Sequence, residues 1–304
     1  MTTIDEVLAA ENPAFARAVK AIIAGNTDAL RTELSTDPTL IQARSVSAHR
    51  ATLLHYVAAN GIESELQRQV PNSDEIAAVL LDAGAEVEAR CDAYGGQCTT
   101  LDLLVSSDHL YEAGVTGKLV TLLCASGAAV QGRESDGSPL STALYFGILD
   151  GVQALLACGA RTDNPIFAAA AGEADWICTW LDGNVGAVGH PGPSYFPLST
   201  DRVVAAEQAL VFASMCGQAE IIRLLADRGV NVNASPPGSH WTATPLHTAA
   251  IQGHVASVAM LLGKGADPSI KDARHRATPA AWIPHARGPR KVFAQEVARL
   301  LPAS

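Results

Sequence analysis

No run of apolar residues in this chain of 304 is long enough to cross a bilayer. Nor do the first eleven residues have the form of a secretory leader, because Asp5 and Glu6 stand where such a leader is basic. A phosphate loop and a dinucleotide fingerprint are both missing. Zinc-ligand spacing is missing too: Cys91 and Cys98 have no paired histidines at ligand distance, so the expectation is no metal and no cofactor. The six cysteines are scattered, with Cys124 and Cys158 just before glycines and Cys178 on an apolar helical stretch. That pattern reads as free thiols in a reducing, cytoplasmic setting, with no membrane partner.

A basic excess is also lacking. The formal net charge is -10, which argues against a specific nucleic-acid partner. From Lys264 onward the balance reverses, with eight Lys and Arg against three Asp and Glu. That basic end reads as a solvated terminal cap, giving weak, salt-sensitive DNA binding at most.

What the chain does have is 48% hydrophobic residues in a recurring order. Near the C-terminal end stand Thr244-Pro245-Leu246-His247-Thr248-Ala249-Ala250, then Gly253-His254, then Val258-Ala259-Met260-Leu261-Leu262, then Gly265-Ala266-Asp267. Thr244 suits a helix N-cap and Pro245 the first helical turn. Leu246, Ala249 and Ala250 make an apolar stripe at helical spacing, and Gly253 permits a left-handed stop. A second apolar helix and a second glycine follow. This segment resembles the ankyrin repeat, a unit of ~33 residues built from a turn, two antiparallel helices and a β-hairpin finger. The resemblance implies an all-α solenoid of roughly seven to eight helix–turn–helix repeats with β-hairpin fingers. It also implies a binding scaffold, since ankyrin arrays mostly bind partners and fold alone names no function.

Weaker copies run along the chain, giving one solenoid over residues 1–304. Residues 1–45 read as an N-terminal repeat or cap, 46–270 as central repeats and 271–304 as a C-terminal capping repeat. Three insertions interrupt the period, at 62–73, 107–118 and 184–204. Insertions in a solenoid map to loops on one face, often the binding face, so these three are expected to close over the concave groove.

The resemblance places the concave wall at fingers and at positions just before the mid-repeat glycines. Carried over, these ligand-binding candidates are Asn60, Tyr94, Tyr145, Phe146, Tyr195, Met215, His240 and Trp241. The expected occupant is a protein partner, or a small apolar molecule under a lid bearing Tyr195 and Phe196. In the family, the residue at the His247 position ties one repeat to the next. The second, third and fourth units carry His55, Asp102 and Ser141 there, so His55 and Asp102 are expected to hydrogen-bond. Asp102 would be central in that row, whereas a hydrolytic triad needs the histidine between nucleophile and carboxylate. The alternative is acid–base chemistry around Asp102, His55 and His109, with Tyr56 and Cys98 nearby.

Overall fold

Several helices in this chain start where a side-chain oxygen caps them, as at Asn12, Asn26, Thr99, Asn164, Asp201 and Thr278. The computed structural model describes residues 2–132, 135–184, 198–237 and 242–301. Two units are separable: Met1–Ser135 with Asp150–Gly159, and Asp136–Leu149 with Ala160–Ser304. The described residues are helical, without a β-strand, and no described helix is long and apolar enough to cross a membrane. Two of the fingers are turns, each closed by a single antiparallel bridge, Arg44 with Thr52 and Cys91 with Cys98.

In the first unit α1 (Ile4–Val7) leads to α2 (Pro13–Ile23) and α3 (Thr27–Thr36). Asn12 caps α2, accepting from the Ala14 amide at 2.8 Å, with Pro13 in the first turn. Asn26 caps α3 in the same way. There follow α4 (Leu53–Val57), α5 (Ser73–Asp82), α6 (Thr100–Leu104), α7 (Asp108–Ala113) and α8 (Thr116–Ala125). α2, α4 and α6 pack side by side, and α3, α5 and α8 form a second row against them. Between the rows Phe15, Leu30, Leu53, Ile76 and Leu80 are buried, each contributing about 1.5–3 kcal/mol. The insertion at 62–73 sends Leu66 into this core, and α7 within the insertion at 107–118 buries Leu110 and Tyr111. Both segments are therefore part of the packing.

α9 (Ser138–Phe146) belongs to the second unit, whereas α10 (Leu149–Ala157) lies almost wholly in the first. The second unit continues with α11 (Pro165–Ala171), α12 (Ala174–Leu181), α13 (Arg202–Met215), α14 (Ala219–Asp227), α15 (Pro245–Ile251), α16 (Val255–Gly263), α17 (Pro279–Trp282) and α18 (Ala294–Leu300). α11, α13, α15 and α17 make one row, and α12, α14, α16 and α18 the other. Alanines 168, 169, 209, 213, 249 and 250 are fully buried where the inner helices approach. α13 is buried on all sides from Gln208 to Met215, as an all-round apolar helix must be.

One device recurs in both units. In the first, His55 Nδ1 accepts from the Thr52 hydroxyl at 2.7 Å, and its Nε2 donates to the Cys98 carbonyl at 3.3 Å. In the second, His247 Nδ1 accepts from Thr244 at 2.7 Å and Nε2 donates to the Ala277 carbonyl at 3.0 Å. Each histidine thus caps its own helix and grips the finger of the next repeat. The tie expected between His55 and Asp102 is made through that carbonyl instead. Asp102 turns back to its own helix start, accepting from the Thr99 amide and hydroxyl, both at 2.9 Å. Both side chains spend their bonds on their own helix starts, and the remaining His55 nitrogen is taken by the finger carbonyl.

Candidate functional site

The polar groups of the first unit converge on its two fingers. The first, Ser45–Ala51, is closed by the Ser45 amide donating to the Ala51 carbonyl at 2.8 Å. The second, Cys91–Cys98, is joined to the first by the Asp92 amide, which donates to the His49 carbonyl at 2.6 Å. Arg44 ties them again, its guanidinium donating to the carbonyls of Arg50 (3.0 Å) and Arg90.

The tip of the second finger is held in an unusual backbone. Tyr94, Gly95, Gly96 and Gln97 all have positive φ, at 48, 102, 98 and 68°. Two of the four are not glycine, which costs of order 1 kcal/mol or more apiece. The run turns the Tyr94 hydroxyl onto Asn60 Oδ1 at 2.6 Å while the residue stays 73% exposed. Asn60 is buried, and its amide donates to Ser106 Oγ (2.8 Å) and the Leu103 carbonyl (3.1 Å). Of the ligand-binding candidates, Asn60 and Tyr94 are therefore brought together, and an exposed aromatic ring is fixed by its far end.

At the first finger lies a half-buried polar cluster. His49 Nε2 stands 3.1 Å from Glu63 Oε1, which also accepts from Ser47 Oγ at 2.7 Å. Burial pushes the Glu63 carboxyl up, but bonds from His49 and Ser47 outweigh it and leave it at about 2. Glu11, itself buried, accepts from Ser45 Oγ and from the Val46 amide at 3.0 Å. The buried Tyr56 ring packs edge-on to Phe15 (6.0 Å) and His49 (5.9 Å). Burial pushes its phenol up, Ser45 offsets this a little, and the Glu63 and Glu11 charges push it higher. Glu11, Glu63 and the arginines were not among the residues singled out from the sequence. The one available signal was Arg50 beside His49, in a chain poor in basic residues.

The candidates for chemistry lie in this unit with most of their polar atoms committed. His55 is fully buried, and burial brings it down to about 4, so it is neutral at pH 7. Cys98 donates its thiol to the Ala93 carbonyl at 3.2 Å. Burial, then the charges of Asp102 and Cys91, push it up to about 11, so it is a thiol and not a thiolate. Asp102 caps α6, and His109 lies half-buried on α7. Among the described residues no cluster of three or more His, Cys, Asp or Glu is placed to hold a metal ion.

In the second unit Tyr145 and Phe146 meet edge to face, with ring centres 5.1 Å apart. Beside them Arg287 donates to the Phe146 carbonyl at 3.1 Å and Gln252 to the Gly147 carbonyl at 3.3 Å. Met215 is buried, and its carbonyl accepts from His254 Nε2 at 2.8 Å. A wall position open to a ligand was expected for Met215; the chain's own residues cover it. Tyr195, Phe196, His240 and Trp241 lie outside the described residues.

Residues 166–272 match the family model for ankyrin repeats in three copies. Residues 166–272 therefore carry ankyrin repeats. The match takes in the segment Thr244 to Asp267, from which the resemblance was read. Among curated proteins, Palmitoyltransferase Hip14 of Drosophila melanogaster is 42% identical over 64 residues, which is 21% of this chain and 10% of that protein. Palmitoyltransferase AKR1 of Lachancea kluyveri is 43% identical over 65 residues, 21% of this chain and 8% of that protein. The chain thus spans a tenth or less of the length of these relatives. Among solved structures, the human ASB11 ankyrin repeat domain aligns with a TM-score of 0.43 at 19% identity, over 97% of this chain and 100% of that one. The Bcl-3 ankyrin repeat domain aligns with a TM-score of 0.38 at 20% identity, over 93% and 96%.

Proposed function

We propose that this chain is a cytoplasmic scaffold of roughly seven to eight repeats that binds a protein partner through its finger-lined groove, with the two fingers of the first unit as the principal contact. The observation that carries this reading is Tyr94. Its ring is 73% exposed on a backbone of positive φ, and the hydroxyl, bonded to Asn60, is the part engaged with the fold, so the apolar face is left free for a partner. Tyrosine is among the residue types enriched as interface anchors, offering area at small entropic cost. Val46, on the neighbouring finger, is 56% exposed and extends the apolar surface. Six unpaired thiols suit a reducing compartment. The alternative occupant, a small apolar molecule beside Tyr145 and Phe146, has less support, since Arg287 and Gln252 already stand at that helix end.

The test is selection of peptide binders from a displayed random library on the immobilised protein, followed by competition with a Tyr94→Ala variant. Binders that lose affinity on that variant are expected. Binders that hold equally to both would place the contact elsewhere and overturn the reading.

A further inference from the structure

The charge on the two fingers differs from that of the rest of the chain. Segments 44–52 and 90–98 carry Arg44, Arg50 and Arg90 against one carboxylate, Asp92, in a protein of net charge -10. All four of these residues are exposed. Arg44 draws the three arginines together, because its guanidinium is bound to the backbone of the other two. The Arg50 guanidinium meets no acceptor among the described residues, and Arg90 meets only the neutral Gln97, at 3.3 Å. Among the described residues Arg44, Arg50 and Arg90 form no ion pair, and the nearby Glu63 carboxylate is bonded to Ser47 and lies against His49. Three arginines on adjoining fingers with only Asp92 among them leave a net positive charge, which an anionic partner offsets.

Resting on the finger-face reading above, we propose that the partner segment is acidic: an extended peptide whose carboxylates are taken by Arg50 and Arg90 while an apolar side chain packs on Tyr94. Guanidinium forks match carboxylates in pairs, and the two fingers adjoin through the Asp92 to His49 bond, so one short segment can meet both. The acidic remainder of the protein repels a polyphosphate chain along its length, whereas a short acidic peptide needs only the fingers.

The probe is a fluorescein-labelled octapeptide of glutamate and serine with one central leucine, with the analogue in which lysine replaces each glutamate as control, read by anisotropy at two salt concentrations. The acidic peptide is expected to bind, to weaken several-fold as salt rises, and to lose about tenfold or more on the Arg50→Glu, Arg90→Glu double variant. Arg50→Gln with Arg90→Gln is a gentler pair, and a urea midpoint matching wild type shows that either variant is folded. Equal binding of both peptides, an unaffected double variant, or tighter binding of a single-stranded oligonucleotide would each overturn the proposal. Library binders that depend on Tyr94 but carry no acidic excess would overturn the acidic partner alone. Binders indifferent to Tyr94 would remove the finger face as well.

Discussion

Acid should destabilise this protein well before its carboxylates protonate, because it stores neutral histidines in its interior. His55 is fully buried and sits at about 4, and His254 is buried and sits at about 4. Burial is the leading cause for both, and a neighbouring arginine adds to it. His247 is shifted downward as well, again chiefly by burial. Unfolded, all three titrate at about 6.5. The unfolded chain therefore binds protons between pH 6.5 and 4 that the folded chain refuses. Stability is fully present above pH 6.5 and is lost as pH falls through that window. For one histidine with these values the loss from pH 8 to pH 5 is about 2 kcal/mol. His55 and His254 together give about 4 kcal/mol, with a slope near pH 5 equivalent to nearly two protons. The assay is urea unfolding from pH 8 to pH 5, with the imidazole resonances of the folded protein followed in parallel. His55→Gln should lower stability at pH 8 yet make its pH dependence shallower. Resonances assigned to His55 and His254 titrating near 6.5 in the folded protein, or a flat stability profile down to pH 5, would refute the burial argument.

Three further outcomes are expected. Asp272→Ala should cost about 3 kcal/mol, because that buried carboxylate accepts from the amides of Arg274, His275 and Ala277 and from the Trp282 indole; a urea midpoint within error of wild type would contradict this. Asp102→Ala should cost only about 1 kcal/mol, the worth of a helix cap, since its partner is Thr99 and not a buried histidine; a loss above 3 kcal/mol would restore a buried-pair role. Gly253→Ala should lower the unfolding midpoint clearly: φ is +69°, and the added Cβ would lie 2.7 Å from the Arg290 carbonyl. Loss of order in the C-terminal segment, seen as faster amide exchange after Ala286, should accompany it.

Helix beginnings and ends were legible because they are decided within four residues. Thr244 before Pro245 announces a cap that needs no tertiary context, and Asn12 and Thr99 cap their helices by equally local means though neither was read from the sequence. The His247 tie was legible only through family resemblance, since its partner, the Ala277 carbonyl, lies 30 residues away. The same resemblance misled at the third unit. There the short Asp102 carboxylate stands at the matching position, and a short side chain returns to its own helix sooner than it crosses to another.

Most of the finger site was hidden for a related reason. Glu63 lies in a stretch with no period to read, so nothing local points it at His49, 14 residues earlier in the chain. Glu11 reaches Ser45 across 34 residues and Tyr94 reaches Asn60 across the same number. These pairs exist because stacking repeats bring equivalent points of successive units into contact, so separations near one repeat length become neighbours in space. Such separations are searchable once the period is known. The Gln252 bond to the Gly147 carbonyl, 105 residues apart, is not. It depends on how the inner helices of the second unit stack, which small buried alanines set by the closeness of their approach. The Met215 expectation failed at that step. A side chain at a wall position is exposed only if the wall is left uncovered, and whether it is covered is decided by distant chain, not by the local pattern.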